Sequence, residues 1–213
     1  AGKKMKEDRF NSFKDRVLKV FDFGVLHKKT KEKKVPGLAH LAVAGGFVVL
    51  WIVTNIVAIQ EHLEHFSDYY FFQGSFYQIV SFVADIAGVF LLLGTIVFAF
   101  RRYFAKSKYL DNTQNDWILP SFLFLFVITG FLLEAFRMLG TKNIESFAPV
   151  GATLARVLSY MTTEDIQSSH AFLWWFHSIL TFVFVATMPY TKFMHIFVSP
   201  LSIFFRSSRA RGQ

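Results

Sequence analysis

The chain has 213 residues, of which 53% are hydrophobic and 18% aromatic, and 28 of them are phenylalanine. A soluble domain of this size rarely carries so much apolar material, so the composition argues against a soluble protein. There is no cysteine, which excludes disulfides and any thiolate-held zinc or iron–sulfur centre within these residues. The formal net charge is +8, but the basic residues alternate with apolar segments, so we do not expect a nucleic acid as partner.

A basic segment, residues 1–37, holds twelve of the 23 lysines and arginines. Between Phe10 and Leu26, apolar residues recur at helical spacing with basic residues between them. This pattern predicts an amphipathic helix that either lies on the membrane surface or packs on a partner protein. The turn-forming pair Pro36 and Gly37 separates this helix from the first long apolar run.

Four apolar runs follow, at residues 38–59, 79–100, 117–133 and 171–190. Each is about 17–22 residues long, which is the length of a helix that crosses a bilayer. Asp85 is the only formally charged residue in them. We therefore predict an all-α integral membrane helical bundle with four transmembrane helices and an N-terminal amphipathic surface helix. Its other parts are a transmembrane domain at 38–206 and a tail at 207–213.

The distribution of basic residues orients these helices. Residues 1–37 and the loop 101–116 are basic, and the tail from Tyr190 carries four more lysines and arginines. The loop 60–78 has none, and the segment 139–170 has two. Because basic loops stay on the cytoplasmic side, we expect both termini in the cytoplasm. The expected location is the inner membrane of a bacterial or archaeal cell, in contact with the lipid bilayer.

Two histidines, His177 and His195, lie 18 residues apart in the apolar stretch Ala171–Ile203. If that stretch is one helix, both imidazoles share a face and lie about 27 Å apart along its axis. This distance nearly spans the bilayer core, which suits an electron path with two haem groups. His40 starts the first apolar run, so we expect it at the depth of His195, as bis-histidine ligation of a b-type haem requires.

The partner of His177 stays open in the sequence. Candidates are His62 and His65, just past the first apolar run, and His170, two turns before His177. A single histidine in a membrane helix is more often a hydrogen-bonded packing residue than a metal ligand. His62 and His65 are also compatible with plain residues of the membrane interface.

Glu134 and Arg137 are the charged residues at the end of the third apolar segment, at positions i and i+3, so they can pair on one helix face. Ionisable groups at membrane depth are costly and are functional candidates. Glu134 would handle protons for a quinone and Arg137 would bind a haem propionate, while the alternative is a structural ion pair. A competing quinone site lies near Lys192, beside His40 and His195.

Three segments resemble a known family: PGLAHLAVAGGFVVL (36–50), TGFLLEAFR (129–137) and WWFHSILTFVFVATMPYTKFMHI (174–196). They are similar to the membrane cytochrome b domain of the respiratory nitrate reductase gamma-subunit type. The variant fused to, or encoded with, a heterodisulfide-reductase-like iron–sulfur protein is most similar. The resemblance covers most of residues 9–206 and implies three haem ligands, His40, His177 and His195. It also implies electron transfer between cytoplasmic donors, such as electron-transferring flavoprotein, and membrane quinone.

Two features differ from the family pattern. The gamma subunit carries a second ligand ten residues after the first, where this chain has Leu50. The family also usually has five helices, one of which would precede Arg9. That helix is missing, cut away or on another chain, so a fragment of a longer fused protein is one of the alternatives.

We predict a membrane-anchoring b-type cytochrome with one or two haem groups. It would transfer electrons between a cytoplasmic iron–sulfur subunit or domain and menaquinone or ubiquinone. The alternative is a non-redox transporter, or a scaffold subunit that anchors a partner protein.

Overall fold

The computed structural model describes residues 13–20, 22, 34–67, 69–104 and 118–206. All regular structure in those residues is helical. The α-helices are α1 (Phe13–Lys19), α2 (Lys34–Phe66), α3 (Gly74–Tyr103), α4 (Ile118–Gly140), α5 (Pro149–Val157), α6 (Thr163–Thr187) and α7 (His195–Phe204). Two short 3₁₀ turns, Met188–Tyr190 and Lys192–Met194, separate α6 from α7.

Four segments within the described residues are long and apolar enough to cross a membrane: Val35–Phe66, Gly74–Tyr103, Ile118–Gly140 and Thr163–Tyr190. This confirms the predicted all-α class and its four spans. The spans extend beyond the apolar runs because polar helix-forming residues continue them. As a result His62 and His65, which we expected just past the first span, lie in the last turns of α2.

Local signals explain where several helices begin. Helix α5 starts at Pro149, a position where the missing N–H of proline costs no helical hydrogen bond. Before α6, the hydroxyl of Thr162 accepts a hydrogen bond from the backbone N–H of Asp165 at 3.2 Å and donates to its carboxylate at 2.6 Å. The Thr162 hydroxyl thus caps the helix, because it satisfies one of the backbone donors that the first helical turn leaves unpaired.

Gln60 fixes the turn that joins α2 to α3. Its side chain is buried, and its Oε1 accepts from the backbone N–H groups of Phe71 and Phe72, each at 2.9 Å. Its Nε2 donates to the Tyr69 carbonyl at 3.2 Å and to Glu64 at 2.8 Å. One amide therefore pairs four polar groups at the end of two membrane spans, where unpaired groups are costly.

The chain divides into two compact units, and residues 38–185 form the larger one, which we call the bundle unit. Its most buried cluster joins α4 to α5 through small and flexible side chains: Ala135, Met138, Ala148, Ala152 and Ala155. Helices α2 and α3 approach closely at Gly94. A Cβ atom there would lie 2.8 Å from the Ala39 carbonyl oxygen, so only glycine permits this contact.

Residues 1–37 and 186–213 form the second unit, the terminal unit. Helix α1 is the described part of the amphipathic helix that we predicted between Phe10 and Leu26. Val20 and Asp22 are also described, but the other positions of that stretch and the tail 207–213 lie outside the described residues. Arg16 is buried in α1 and donates to the carbonyls of Phe204 at 2.6 Å and Arg206 at 2.9 Å. These bonds satisfy carbonyl groups that the end of α7 leaves unpaired.

The stretch Ala171–Ile203 is not one helix, which corrects our expectation for His177 and His195. Helix α6 ends at Thr187, and the chain passes through two 3₁₀ turns before α7 begins at His195. Pro189 lacks the N–H that a continuing α-helix needs, and Thr191 is extended at φ −116°, ψ 171°. The 18-residue spacing therefore does not place the two imidazoles on a common helical face.

Candidate functional site

His177 is held on α6 by a side chain of α4. Its Nδ1 lies 2.7 Å from Thr129 Oγ1, which itself lies 2.6 Å from the carbonyl oxygen of Leu125. A hydroxyl has one hydrogen, and the carbonyl can only accept it, so Thr129 accepts a hydrogen bond from the Nδ1–H of His177. In the neutral ring the lone pair is then on Nε2.

This arrangement is the one that metal-binding histidines adopt. Such a histidine donates its other ring N–H to a fixed acceptor, which sets the tautomer and the ring orientation. The ring of His177 is half-buried, and the Phe126 ring packs edge-on at 5.5 Å between centroids. A Cβ at Gly130 would lie 3.9 Å from its Cε1 atom, so the neighbouring residue leaves the ring uncrowded. The surroundings of His177 therefore fit a residue that would hold a haem through Nε2.

His40 is on α2 in the same unit. It is half-buried, its Nδ1 is shielded from solvent, and the Phe98 ring packs edge-on at 6.4 Å between centroids. An imidazole on an apolar span, packed against an aromatic ring, is compatible with either of its predicted roles, haem ligand or packing residue.

His195 is the first residue of α7 in the terminal unit, and it is exposed. Its Nδ1 donates to the carbonyl of Lys192, one 3₁₀ turn earlier. In His195, as in His177, the hydrogen on Nδ1 leaves the lone pair of the neutral ring on Nε2. The pairing of His40 with His195 stays a prediction.

The three other candidate histidines differ in their surroundings. His62 and His65 are exposed, and the Nδ1 of His62 donates to the Ala58 carbonyl at 3.0 Å. His170 is half-buried and lies on α6, which is continuous from Thr163 to Thr187. His170 and His177 lie two turns apart on one side of this helix, so they cannot hold one haem between them, and α6 disfavours His170 as the partner of His177.

Arg137 does not pair with Glu134, which corrects the predicted i, i+3 ion pair. Its guanidinium binds Glu145 through two hydrogen bonds, of 3.1 Å and 2.8 Å. The Tyr77 hydroxyl lies 3.0 Å and 2.8 Å from the two oxygens of the same carboxylate, to which it donates. A carboxylate from the loop can meet the guanidinium end-on in the bidentate geometry that arginine favours, so Glu145 is the partner. This assignment also argues against Arg137 as the anchor of a haem propionate.

Glu145 lies in the loop between α4 and α5, outside the spans. Burial opposes its ionised form, but the hydrogen bonds from Arg137 and Tyr77 outweigh burial and hold the pKa of Glu145 below its usual value. The loop is thereby tied to both α3 and α4. The sequence offered no signal for this contact, because Glu145 lies in an aperiodic loop.

Two carboxyl groups meet the first turn of α5. Asp85, on α3, is 1% exposed, and its Oδ2 accepts from the backbone N–H of Val150 at 2.7 Å. Its Oδ1 is buried and has no hydrogen-bond partner in the described structure. Glu134, on α4, packs on Gly151, the residue after Val150. A Cβ atom at Gly151 would lie 2.9 Å from both the Cδ and the Oε2 of Glu134.

The bundle unit has two open grooves near these residues. One, of about 470 Å³, lies between α4 and α6 and is lined by Phe136, Ser168, Ser169, Phe172 and Leu173. Phe136 is seven residues beyond Thr129, so this groove lies about 10 Å from the His177 contact along the helix axes. The other, of about 310 Å³, lies at the opposite end of α3 and α4, where Phe100, Tyr103 and Phe124 line it.

Comparison with known proteins places the chain among membrane subunits of oxidoreductases. The sequence pattern of the nitrate reductase gamma subunit family matches residues 39–210. The EtfAB:quinone oxidoreductase of Syntrophomonas wolfei is 29% identical over 215 residues, which cover 93% of this chain and 29% of that protein. One subunit of the dihydromethanophenazine:CoB–CoM heterodisulfide reductase of Methanosarcina barkeri is 27% identical, over 88% of this chain and 65% of that polypeptide.

A third relative carries the family name. The nitrate reductase gamma chain of Bacillus subtilis is 24% identical over 121 residues, which cover 57% of this chain and 54% of that one. The chain thus spans less than two thirds of the length of each of these relatives. No solved structure matches it. Since the family pattern covers most of the chain, including three of the four spans in full, this protein belongs to the nitrate reductase gamma subunit family of haem b-binding membrane cytochromes.

Proposed function

We propose that this chain is the membrane cytochrome b part of a quinone-linked oxidoreductase and carries electrons between an iron–sulfur partner and membrane quinone. The observation that carries the proposal is the bond between His177 and Thr129. It holds an imidazole inside a membrane span and leaves the lone pair of the neutral ring on Nε2, as ligation of a haem would require. In the alternative, a transporter or a scaffold protein, the same bond would only join two packed helices.

The haem ligands we propose are His177, His40 and His195. A b-type haem, when bound, accepts and releases one electron at a time. The part of this chain is to supply neutral imidazoles on helices whose apolar side chains keep water away. His40 and His195 would hold one haem and His177 a second. Leu50 occupies the position of the usual fourth ligand, so His62 or His65 would have to complete the second site.

Quinone chemistry needs a titratable group next to an apolar cleft. The groove between α4 and α6 supplies the apolar cleft, and Glu134 lies at the same level of α4 but on the side that packs against Gly151 of α5. We propose that menaquinone or ubiquinone binds there and exchanges protons with Glu134. The competing location is the proposed cytoplasmic side, near Lys192, His40 and His195.

The partners we propose follow from the names of the relatives. One relative is an EtfAB:quinone oxidoreductase and another belongs to a heterodisulfide reductase. An iron–sulfur subunit or domain of the heterodisulfide-reductase type would therefore contact the basic side of this chain, with electron-transferring flavoprotein as a further donor. We propose that this side, with both termini, faces the cytoplasm.

The visible absorption spectrum of the purified protein tests the proposal. We expect the sharp reduced α band of a b-type haem. His40→Ala and His195→Ala should each remove the same haem equivalent, because they share it. A colourless protein from cells supplied with haem contradicts the cytochrome function and leaves the transporter or scaffold alternative. Full haem content in both variants would contradict the pairing of His40 with His195 but not the cytochrome function.

A further inference from the structure

The turn of α5 at Val150 and Gly151 brings together two acids from different membrane spans. Asp85 bonds to the N–H of Val150, and Glu134 packs on Gly151. The two carboxyl groups thus lie against adjacent residues of one helical turn, so the charge of each acts on the other. Because any side chain at position 151 would displace Glu134, the glycine permits the two acids to meet at this turn.

Two ionised carboxylates at this place would be compensated only in part, by backbone N–H groups of α5 and by the charge of Arg137, which acts on Glu134 without bonding to it. Among the described residues neither acid forms an ion pair, since the guanidinium of Arg137 is bonded to Glu145. The N-terminus of α5 carries about half a positive elementary charge, which offsets part of one negative charge but not of two. Like charges in a low-dielectric site strongly oppose each other's ionisation.

The unpartnered oxygen of Asp85 indicates where a proton would go. The backbone N–H groups of Val150 and Gly151 both stabilise this carboxyl, and that of Val150 bonds to Oδ2, while Oδ1 is buried and forms no hydrogen bond within the described residues. A buried, unsatisfied acceptor is costly. A proton on Oδ1 converts it into a donor, and the Glu134 carboxylate at the neighbouring residue is an acceptor of suitable charge.

We propose that Asp85 and Glu134 form a carboxyl pair that holds one shared proton at the N-terminus of α5. With one proton the pair carries a single negative charge, which matches the helix terminus. The other titratable groups around the pair are Tyr77 on α3, Arg137 on α4 and Glu145 in the loop. Glu145 is hydrogen-bonded to both Tyr77 and Arg137. These three groups therefore act on the pair through their charges and dipoles but do not take up its proton.

The use of this proton rests on the proposed quinone function, although its presence does not. Reduction of one quinone takes two electrons, which the iron–sulfur partner supplies, and two protons. The pair would give its proton to a quinone oxygen, leaving both carboxylates ionised, and recover a proton from water beyond the 141–148 loop. It would do so twice for each quinol formed.

Infrared difference spectroscopy between H₂O and D₂O buffers tests the pair without any redox step. A protonated carboxyl gives a C=O band above the amide region that shifts to lower frequency on deuteration. We expect one such band per chain in the haem-loaded protein at neutral pH. Asp85→Asn and Glu134→Gln should each remove it, because the acid left alone beside the helix terminus ionises. Glu61→Gln, which changes an exposed acid near the C-terminal end of α2, should leave the band in place.

Three results would overturn the pair: no such band in the wild-type protein, a band that survives both single substitutions, or two independent bands of which each variant loses one. Glu134→Asp covers the case in which an amide variant fails to fold, and it should keep the band at a changed frequency. The haem spectrum of the same samples reports folding. A colourless protein that still shows the band would contradict the cytochrome function and leave the carboxyl pair intact.

Discussion

The Nδ1 of His177 and the Oγ1 of Thr129 lie 2.7 Å apart, and this bond joins α6 to α4 inside the membrane. We expect Thr129→Val to weaken haem binding at this site by about 10–100-fold, the usual effect of removing a partner of a metal-binding histidine. Valine has nearly the shape of threonine, so packing is preserved. Haem content during stepwise dilution in detergent, together with the midpoint potential, measures the effect.

Thr181→Val is the matched control for that substitution. Its hydroxyl donates to the backbone carbonyl of His177 at 2.8 Å and does not contact the ring. Equal haem loss in both variants would show that Thr129 matters for helix packing and not for the imidazole.

The second prediction concerns the number of haem groups. We expect His177→Ala to lower the haem content by one equivalent per chain and His170→Ala to leave it unchanged. Both residues lie on α6, two turns apart, but only His177 has its Nδ1–H held by another helix. Pyridine haemochrome quantification of the two purified variants decides between them. One haem per chain that persists in His177→Ala would make His177 a packing residue.

The third prediction concerns acid stability. Because the pKa of Glu145 is held below its usual value of 4.5, its bonds to Arg137 and Tyr77 stabilise the folded state fully at higher pH. This stabilisation is lost as the pH falls through the lowered pKa, where the carboxylate takes up a proton also in the folded state. Glu145→Gln should therefore cost roughly 2 kcal/mol at neutral pH and much less in acid.

Thermal unfolding of the detergent-solubilised protein across this pH range measures the difference. Glu164→Gln serves as control, because Glu164 is an exposed acid in the first turn of α6. A stability difference between Glu145→Gln and the wild type that stays constant with pH would contradict the role of the ionised carboxylate.

These contacts also show what the sequence could establish. The four spans follow from long apolar runs, because the hydrophobic requirement of a bilayer acts on each segment separately. His177 became a candidate because an imidazole in an apolar run is unusual, and its role as a ligand stays a prediction. The bonds of Arg137 to Glu145 and of Asp85 to Val150 depend on how a loop folds back between helices, and no periodicity reports that.

The error at the end of the chain has a similar origin. Hydrophobicity continues from Ala171 to Ile203, so the sequence suggested one helix, but hydrophobicity does not report backbone geometry. Pro189 was the visible warning, because its ring cannot continue an α-helix. Gln60 was overlooked for the opposite reason: a polar residue at a helix end is unremarkable until its four hydrogen bonds are seen.

The fourth prediction concerns orientation in the membrane. Because the Lys and Arg residues alternate between loops, a reporter active only in the periplasm should give no signal when fused after Gln213. The same reporter inserted within residues 62–75 should give a signal. A reporter active only in the cytoplasm provides the reciprocal measurement at both positions. Activity of the periplasmic reporter after Gln213 would reverse the proposed topology and place the basic loops outside.

The last prediction concerns the quinone site. Glu134→Gln should keep the haem spectrum and slow turnover with a soluble quinol analogue at least tenfold, which corresponds to about 1.4 kcal/mol in the barrier. The reason is that the amide cannot take up or release the proton that accompanies each electron. Lys192→Ala, at the competing location, should leave turnover close to wild type. If Lys192→Ala abolishes turnover with haem intact while Glu134→Gln does not, quinone binds at that end, and its protons come from the side of the basic loops.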